Sequence, residues 1–99
     1  MIYEFSIKTS KKEEIIDITE KIKEIIKKSR ILDGLCIVYT SHTTAAVLIN
    51  EINDKRLCSD ILKKMNEIAS QKENYEHNDG NAHSHIKASL ISPEKTIII

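Results

Sequence analysis

The sequence predicts an α+β fold in which two amphipathic helices cover a mostly antiparallel sheet. Three observations carry this: segments whose hydrophobicity alternates with period two, two segments with helical periodicity, and their order of strand, helix, strand, strand, helix, strand, strand. A doubly wound parallel fold would need stricter alternation of strand and helix. The 99 residues suit one domain spanning 1–99, and with no Trp and one Phe its core must come from Ile, Leu and Val. So short a chain buries a modest fraction of its surface, and self-association would help it.

The first strand is "IYEFSIKT", which sets Tyr3, Phe5, Ile7 and Thr9 on the core side. Ser10 precedes Glu13 by three residues, the spacing of a capping box that opens a helix. Ile15, Ile18, Ile22 and Ile25 form its apolar stripe, with Asp17–Lys21 and Glu24–Lys28 as i,i+4 pairs outside it. Asp33-Gly34 supplies a turn, and "LCIVYT" is apolar enough for a central strand buried on both faces. The Thr, Val and Ile content of "TTAAVLINE" favours a further strand. Asn53 or Asp54 then caps a second helix with Leu57, Ile61, Met65 and Ile68 on its apolar face. Residues 71–81 form a polar loop, and "SHIKASLI" and "KTIII" read as strands separated by Pro93.

Fifteen basic residues balance fifteen acidic ones, so no net field recruits nucleic acid or an anionic membrane. The first residues lack a basic stretch followed by an apolar core, and no apolar run approaches the roughly 20 residues of a membrane span. A cytoplasmic protein is expected. Cys36 and Cys58 lack C-x-x-C spacing and read as reduced, buried fillers.

Two polar clusters interrupt the hydrophobic plan, "SHTT" at 41–44 and "HNDGNAHSH" at 77–85. In an extended segment His83 and His85 would project to one face and could share a divalent ion, with His77 or His42 as a third ligand. Imidazoles suit zinc, whereas the oxygens of Asp79, Glu51, Asp54 and Asp60 suit magnesium. A polar loop that binds nothing is the competing account. His42 could act as acid, base or ligand, and the hydroxyls of Ser41, Thr43 and Thr44 could meet phosphate oxygens or merely cap a turn. Glu51 ends an apolar strand, where a buried carboxylate needs a partner and becomes a candidate base or ligand. Lys87, two residues after His85, would share its face in a strand and could meet a phosphate. There is no G-x-S-x-G elbow and no glycine-rich phosphate loop, which argues against serine hydrolases and the Rossmann and Walker nucleotide folds.

"SHTTAAVLINE", the Asp54 and Asp60 that follow, and "NYEHNDGNAHSHIKASLIS" resemble, in order and spacing, the motifs of the YjbQ-like family, also called the secondary thiamine-phosphate synthase family. The resemblance covers nearly the whole chain. It implies a small α+β fold whose two sheets form a β-sandwich, assembled as a homotrimer. Its site would comprise His42, Glu51, Asp79 and His85, supported by Thr43, Asn81 and His77, and His83 falls where members vary. The chemistry of the residues adds Thr44 and Lys87 as substrate contacts, and His77, Asp79 and His85 as ligands for magnesium or zinc. The implied reaction joins a pyrimidine diphosphate to a thiazole phosphate and releases pyrophosphate, so the partner is a phosphorylated small molecule. The alternative is a non-catalytic trimer that binds a metal or phosphate ligand. Relatives continue with strands bearing a glycine, tryptophan and glutamine motif, so this chain, without Trp, is expected to lack the family's C-terminal strands.

Overall fold

The computed structural model describes residues 1–51 and 53–99. Helix α1 spans Thr19–Ser29, strand β1 Leu35–Tyr39, helix α2 Lys55–Ile68, helix α3 Ala82–Ile91 and strand β2 Glu94–Ile98. The fold is α+β as predicted, with three helices and a two-stranded antiparallel sheet among the described residues.

Strand β1 pairs with β2 in a register that sets Leu35 opposite Ile98 and Tyr39 opposite Glu94. Bonds from Thr40 N to the Pro93 carbonyl (2.9 Å) and from Ile99 N to the Gly34 carbonyl (2.8 Å) extend the ladder at both ends. The expected strand at "KTIII" is therefore present, but "LCIVYT" is not buried on both faces. Cys36 and Val38 are half-buried, while Leu35, Ile37 and Tyr39 stay more than 60% exposed. A two-stranded ribbon has a neighbour on one edge only, and among the described residues no element covers this face. Both cysteines are free and half-buried.

Three sequence expectations give way here. Residues 2–9 and 43–51 carry no strand, because a strand persists only where a neighbour takes up its N–H and C=O groups. Thr43 and Thr44 instead form a turn closed by Ala45 N on the His42 carbonyl at 3.2 Å. "SHIKASLI" is helical, so the third helix replaces a predicted strand. Its content of Ala, Leu and Lys favours helix, and Asn81 before it and Pro93 after it mark the two ends.

The isoleucine stripe survives in a different frame. Ile15, Ile18, Ile22 and Ile25 are all half-buried, yet α1 begins only at Thr19, where the Asp17 carboxylate accepts from Thr19 N at 2.9 Å. The Ser10 box closes on Glu14 instead, whose carboxylate accepts from Ser10 N (3.1 Å) and Ser10 Oγ (3.2 Å). Glu13 turns inward. Asp54 caps α2 as anticipated, accepting from Arg56 N at 2.9 Å and holding the Arg56 guanidinium. Leu57, Ile61 and Met65 line its half-buried face, while Ile68 is 60% exposed.

Among the described residues the buried ones, Ala69, Ala82, His83 and Ala88, lie just beyond α2 and in α3. The chain exposes 8169 Å², whereas a compact monomer of 11.3 kDa exposes about 5,700 Å².

Between α3 and β2 the chain turns at Ser92, with φ 94° and ψ 145°, a conformation that costs a residue with a Cβ roughly 1–3 kcal/mol. The turn aims the Ser92 carbonyl at Val47 N (3.1 Å) and the Pro93 carbonyl at Thr40 N. Lys95 Nζ meets the α3 C-terminal carbonyl of Ile91 at 2.6 Å, a favourable place for a cation. Ser92→Gly is expected to raise stability by about 1 kcal/mol, strain relief exceeding the added chain entropy. A higher urea midpoint at unchanged slope would show it.

Candidate functional site

Because residues 82–91 are helical, side chains two apart lie on different faces and those four apart share one. This reverses two sequence expectations. His83 and His85 do not share a face and cannot offer one ion both imidazoles in the expected way, and Lys87 shares its face with His83 rather than His85.

His83 is the most enclosed polar residue, with its side chain 3% exposed. Its Nδ1 lies 3.0 Å from Lys87 Nζ, which also reaches Asn66 Oδ1 at 2.6 Å and forms an ion pair with Glu13 Oε1. Asn66 Nδ2 donates to Glu13 Oε2 at 2.8 Å, closing the cluster. Burial would raise the Glu13 carboxyl, but hydrogen bonds from Lys87 and Asn66 and the Lys87 charge outweigh it and hold the group below its ordinary 4.5. Burial, then the charge of Lys87, pushes the His83 imidazole below its ordinary 6.5, against a smaller opposite pull from Glu13.

The histidine-rich loop gathers at the start of the same helix. The His77 and His85 rings meet edge to face at 5.3 Å between centroids, and His77 Nε2 lies 3.5 Å from Asp79 Oδ2. Gly80, at φ 91°, lets the loop turn into Asn81, the N-cap position of α3. A cleft of about 220 Å³ opens beside it, with Gln71, Tyr75, His77, Asn78 and His83 among its lining residues. Tyr75 is fixed by donating its hydroxyl to the Ser70 carbonyl at 2.7 Å.

The "SHTT" loop lies elsewhere. Thr40 and Val47 are pinned to Pro93 and Ser92, beyond the C-terminal end of α3, and a ten-residue helix rises about 15 Å from one end to the other. His42, Thr43, Thr44 and Glu51 are exposed, so Glu51 is not the buried carboxylate that its place in the sequence suggested. Among the described residues, no hydrogen bond or ion pair joins these four to His77, Asp79, Asn81 or His85. Sequence reasoning missed Glu13 and Asn66 and gave little weight to His83. The available signal was His83 and Lys87 at i,i+4, which becomes visible once the segment is read as a helix.

The family model described as "UPF0047 protein YjbQ-like" matches residues 3–99. The chain belongs to the YjbQ-like family. The UPF0047 protein MJ1081 of Methanocaldococcus jannaschii is 39% identical over 99 residues, covering all of this chain and 72% of that protein. YugU of Bacillus subtilis, also a UPF0047 protein, is 31% identical over 100 residues and matched over 76% of its length. Among solved structures, an uncharacterized YjbQ/UPF0047 protein of Clostridium acetobutylicum superposes with a TM-score of 0.95 at 40% identity, over 99% of this chain and 76% of that one. The hypothetical protein APE1520 of Aeropyrum pernix superposes with a TM-score of 0.91 at 34% identity, over 96% and 72%. The fold described above is thus that of the corresponding part of the family's solved members.

Lys87→Met would leave the Glu13 carboxylate, 17% exposed, without its cation, and should cost about 3 kcal/mol. Adding Glu13→Gln should recover part of that loss, which a double-mutant cycle by urea unfolding would measure. Acid should also weaken the fold in two stages. His83 has a depressed folded pKa, so its contribution declines once pH falls below the ordinary 6.5; Glu13 follows as pH drops below 4.5. In His83→Gln the earlier decline should be absent from urea midpoints collected across pH 4–7.

Proposed function

We propose that this YjbQ-like chain acts on a phosphorylated small molecule, in a reaction similar to that of secondary thiamine-phosphate synthases: joining a pyrimidine diphosphate to a thiazole phosphate with release of pyrophosphate. The observation that carries the reading is the convergence of His77, Asp79, Asn81 and His85 at the start of α3. Imidazoles and helix-terminal amides can stabilise charge on a departing diphosphate, and His85 is the proposed proton donor. Asp79 and Glu51 are the proposed carboxylates, with Thr43, Thr44 and Asn81 as substrate contacts. Lys87, its ammonium engaged by Glu13, Asn66 and His83, would act on the site by positioning His83.

Completion of the site calls for more than one chain. The excess of exposed area is roughly 2,400 Å², within the range of about 2,000–5,000 Å² buried by obligate interfaces. It includes the apolar face of Leu35, Ile37, Tyr39 and Ile98. We assign this surface to the sandwich and to a homotrimer, in which the exposed His42–Thr44 loop and Glu51 of one subunit can face α3 of the next. Among the described residues no helix is long and apolar enough to cross a membrane.

His77, Asp79 and His85 do not fit a resident metal centre as they stand, for among the described residues no three His, Cys, Asp or Glu side chains are grouped to hold an ion. Magnesium or zinc is therefore proposed only as an ion that accompanies the diphosphate. A second reading, a trimer that binds such a ligand without turnover, shares the same residues.

Pyrophosphate release from the two substrates, with magnesium supplied, tests the choice. Asp79→Asn and His85→Ala should each reduce turnover by about a hundredfold or more while the trimer stays intact. Undiminished turnover in both variants would refute the site, and ligand binding without product would favour the second reading. Sedimentation should give a mass three times that of the chain.

A further inference from the structure

Residues 2–9 follow a strand's alternation, with Glu4, Ser6 and Lys8 on one side and Tyr3, Phe5, Ile7 and Thr9 on the other. Yet among the described residues no backbone hydrogen bond uses an amide or carbonyl of this run. It is free of turns and bends, none of its residues has a positive φ, and it ends where Ser10 is tied to Glu14. A strand-like run with unpaired backbone is a template for another chain.

Phe5 determines which side of the run meets the body of the protein. It alone in 2–9 is half-buried, and with Ile7, Ile16 and Ile18 it lines a groove of about 390 Å³ beside the start of α1. Lys21 Nζ sits there, 6.0 Å from the Phe5 ring centroid. Tyr3 and Ile7, on the same side, remain 42% and 46% exposed. Glu4 and Lys8 are exposed, and among the described residues neither takes part in an ion pair.

The run itself identifies what covers it. In an antiparallel pair with a second copy, centred on Ser6, Glu4 stands opposite Lys8 and Lys8 opposite Glu4, while Phe5 meets Ile7 and Tyr3 meets Thr9 on the other side. Each match occurs twice, as a two-fold contact requires. A register shifted by one residue sets Glu4 against Ile7, and a shift of two leaves both charges opposite uncharged residues.

We propose that residues 2–9 pair antiparallel with the same residues of a second copy about a two-fold axis at Ser6, each Ile7 packing beside the other copy's Phe5. The inference goes beyond the proposed function and does not depend on it. An isologous contact joins copies two by two, so it pairs trimers where the threefold assembly holds and makes dimers where it does not. One contact involves eight residues a side, fewer than the roughly 20–30 of a stable interface, so it forms at higher concentration than the trimer.

The test places a cysteine on the axis. Directly opposed residues of an antiparallel pair have Cα atoms about 4.5 or 5.5 Å apart, within the roughly 4.4–6.8 Å of a disulfide. Mild oxidation of full-chain Ser6→Cys should therefore link two copies through position 6. Ile2→Cys, whose two copies would stand about 27 Å apart, should link no more than the native chain with its Cys36 and Cys58. Glu4→Lys sets like charges opposite each other twice and should weaken pairing about tenfold in a sedimentation series over concentration. Adding Lys8→Glu should restore pairing to within a few fold of native, and both positions are exposed, so the fold is retained. No link through position 6, or equal links through positions 2 and 6, overturns the pair. A link from position 6 to Cys36 would place the run on the edge of β1 and overturn it as well. A double variant that pairs no better than Glu4→Lys overturns the register. Amides of 2–9 protected from exchange at every dilution would mean that the chain covers them itself, which also overturns the proposal. None of these results alters pyrophosphate release, by which the proposed function is judged.

Discussion

The ion pair between Glu13 and Lys87 is the constraint on which most of the tertiary arrangement depends. Glu13 belongs to an irregular stretch before α1, Lys87 to the middle of α3, and Asn66 on α2 bonds to both. Three parts of the chain distant in sequence are joined by one carboxylate, one ammonium and one carboxamide. Burying such charges is costly unless each has partners, and here each is satisfied within the cluster. The neighbouring alanines supply little apolar area of their own, so the cluster determines which surfaces meet.

The same cluster controls the chemistry of the helix start. Were Lys87 free, it would be an ordinary surface cation and His83 could adopt either tautomer. Held by Glu13 and Asn66, it sets the Nδ1 of His83 beside both a cation and a carboxylate. His77, Asp79 and His85 gather around the preceding loop with no comparable anchor, and both His77 and Asp79 are exposed. The site thus joins a fixed wall to a looser rim, an arrangement in which backbone and buried groups can orient a ligand while exposed side chains act on it.

Much of this was legible in the sequence, and the parts that were not share a cause. The isoleucine stripe, the Asp54 cap, the β2 strand and the family motifs depend on local spacing and were read from it. The strands expected at 2–9 and 43–51 depended on partners that spacing cannot name. "SHIKASLI" was misjudged for a different reason: two histidines at i,i+2 invited an extended reading, although the alanines and the Asn81 and Pro93 boundaries favoured a helix. That one error put His83, His85 and Lys87 on one strand face, with Lys87 about 13 Å from His83 rather than one helical turn away. Glu13 was assigned to a capping box because Ser10 stands three residues before it, and only the tertiary contact with Lys87 shows otherwise.

The β1–β2 pairing carries a consequence for how the protein is made. Tyr39 and Glu94, its innermost partners, are separated by most of the chain, so joining them costs about 3.5 kcal/mol of loop entropy beyond a constant. The helices need only local contacts and can form early, whereas the ribbon waits for the last residues of β2. During synthesis "LCIVY" therefore emerges as an uncharged, β-prone segment well before its complement exists. Its vulnerable interval is set by translation time rather than by the stability of the finished fold.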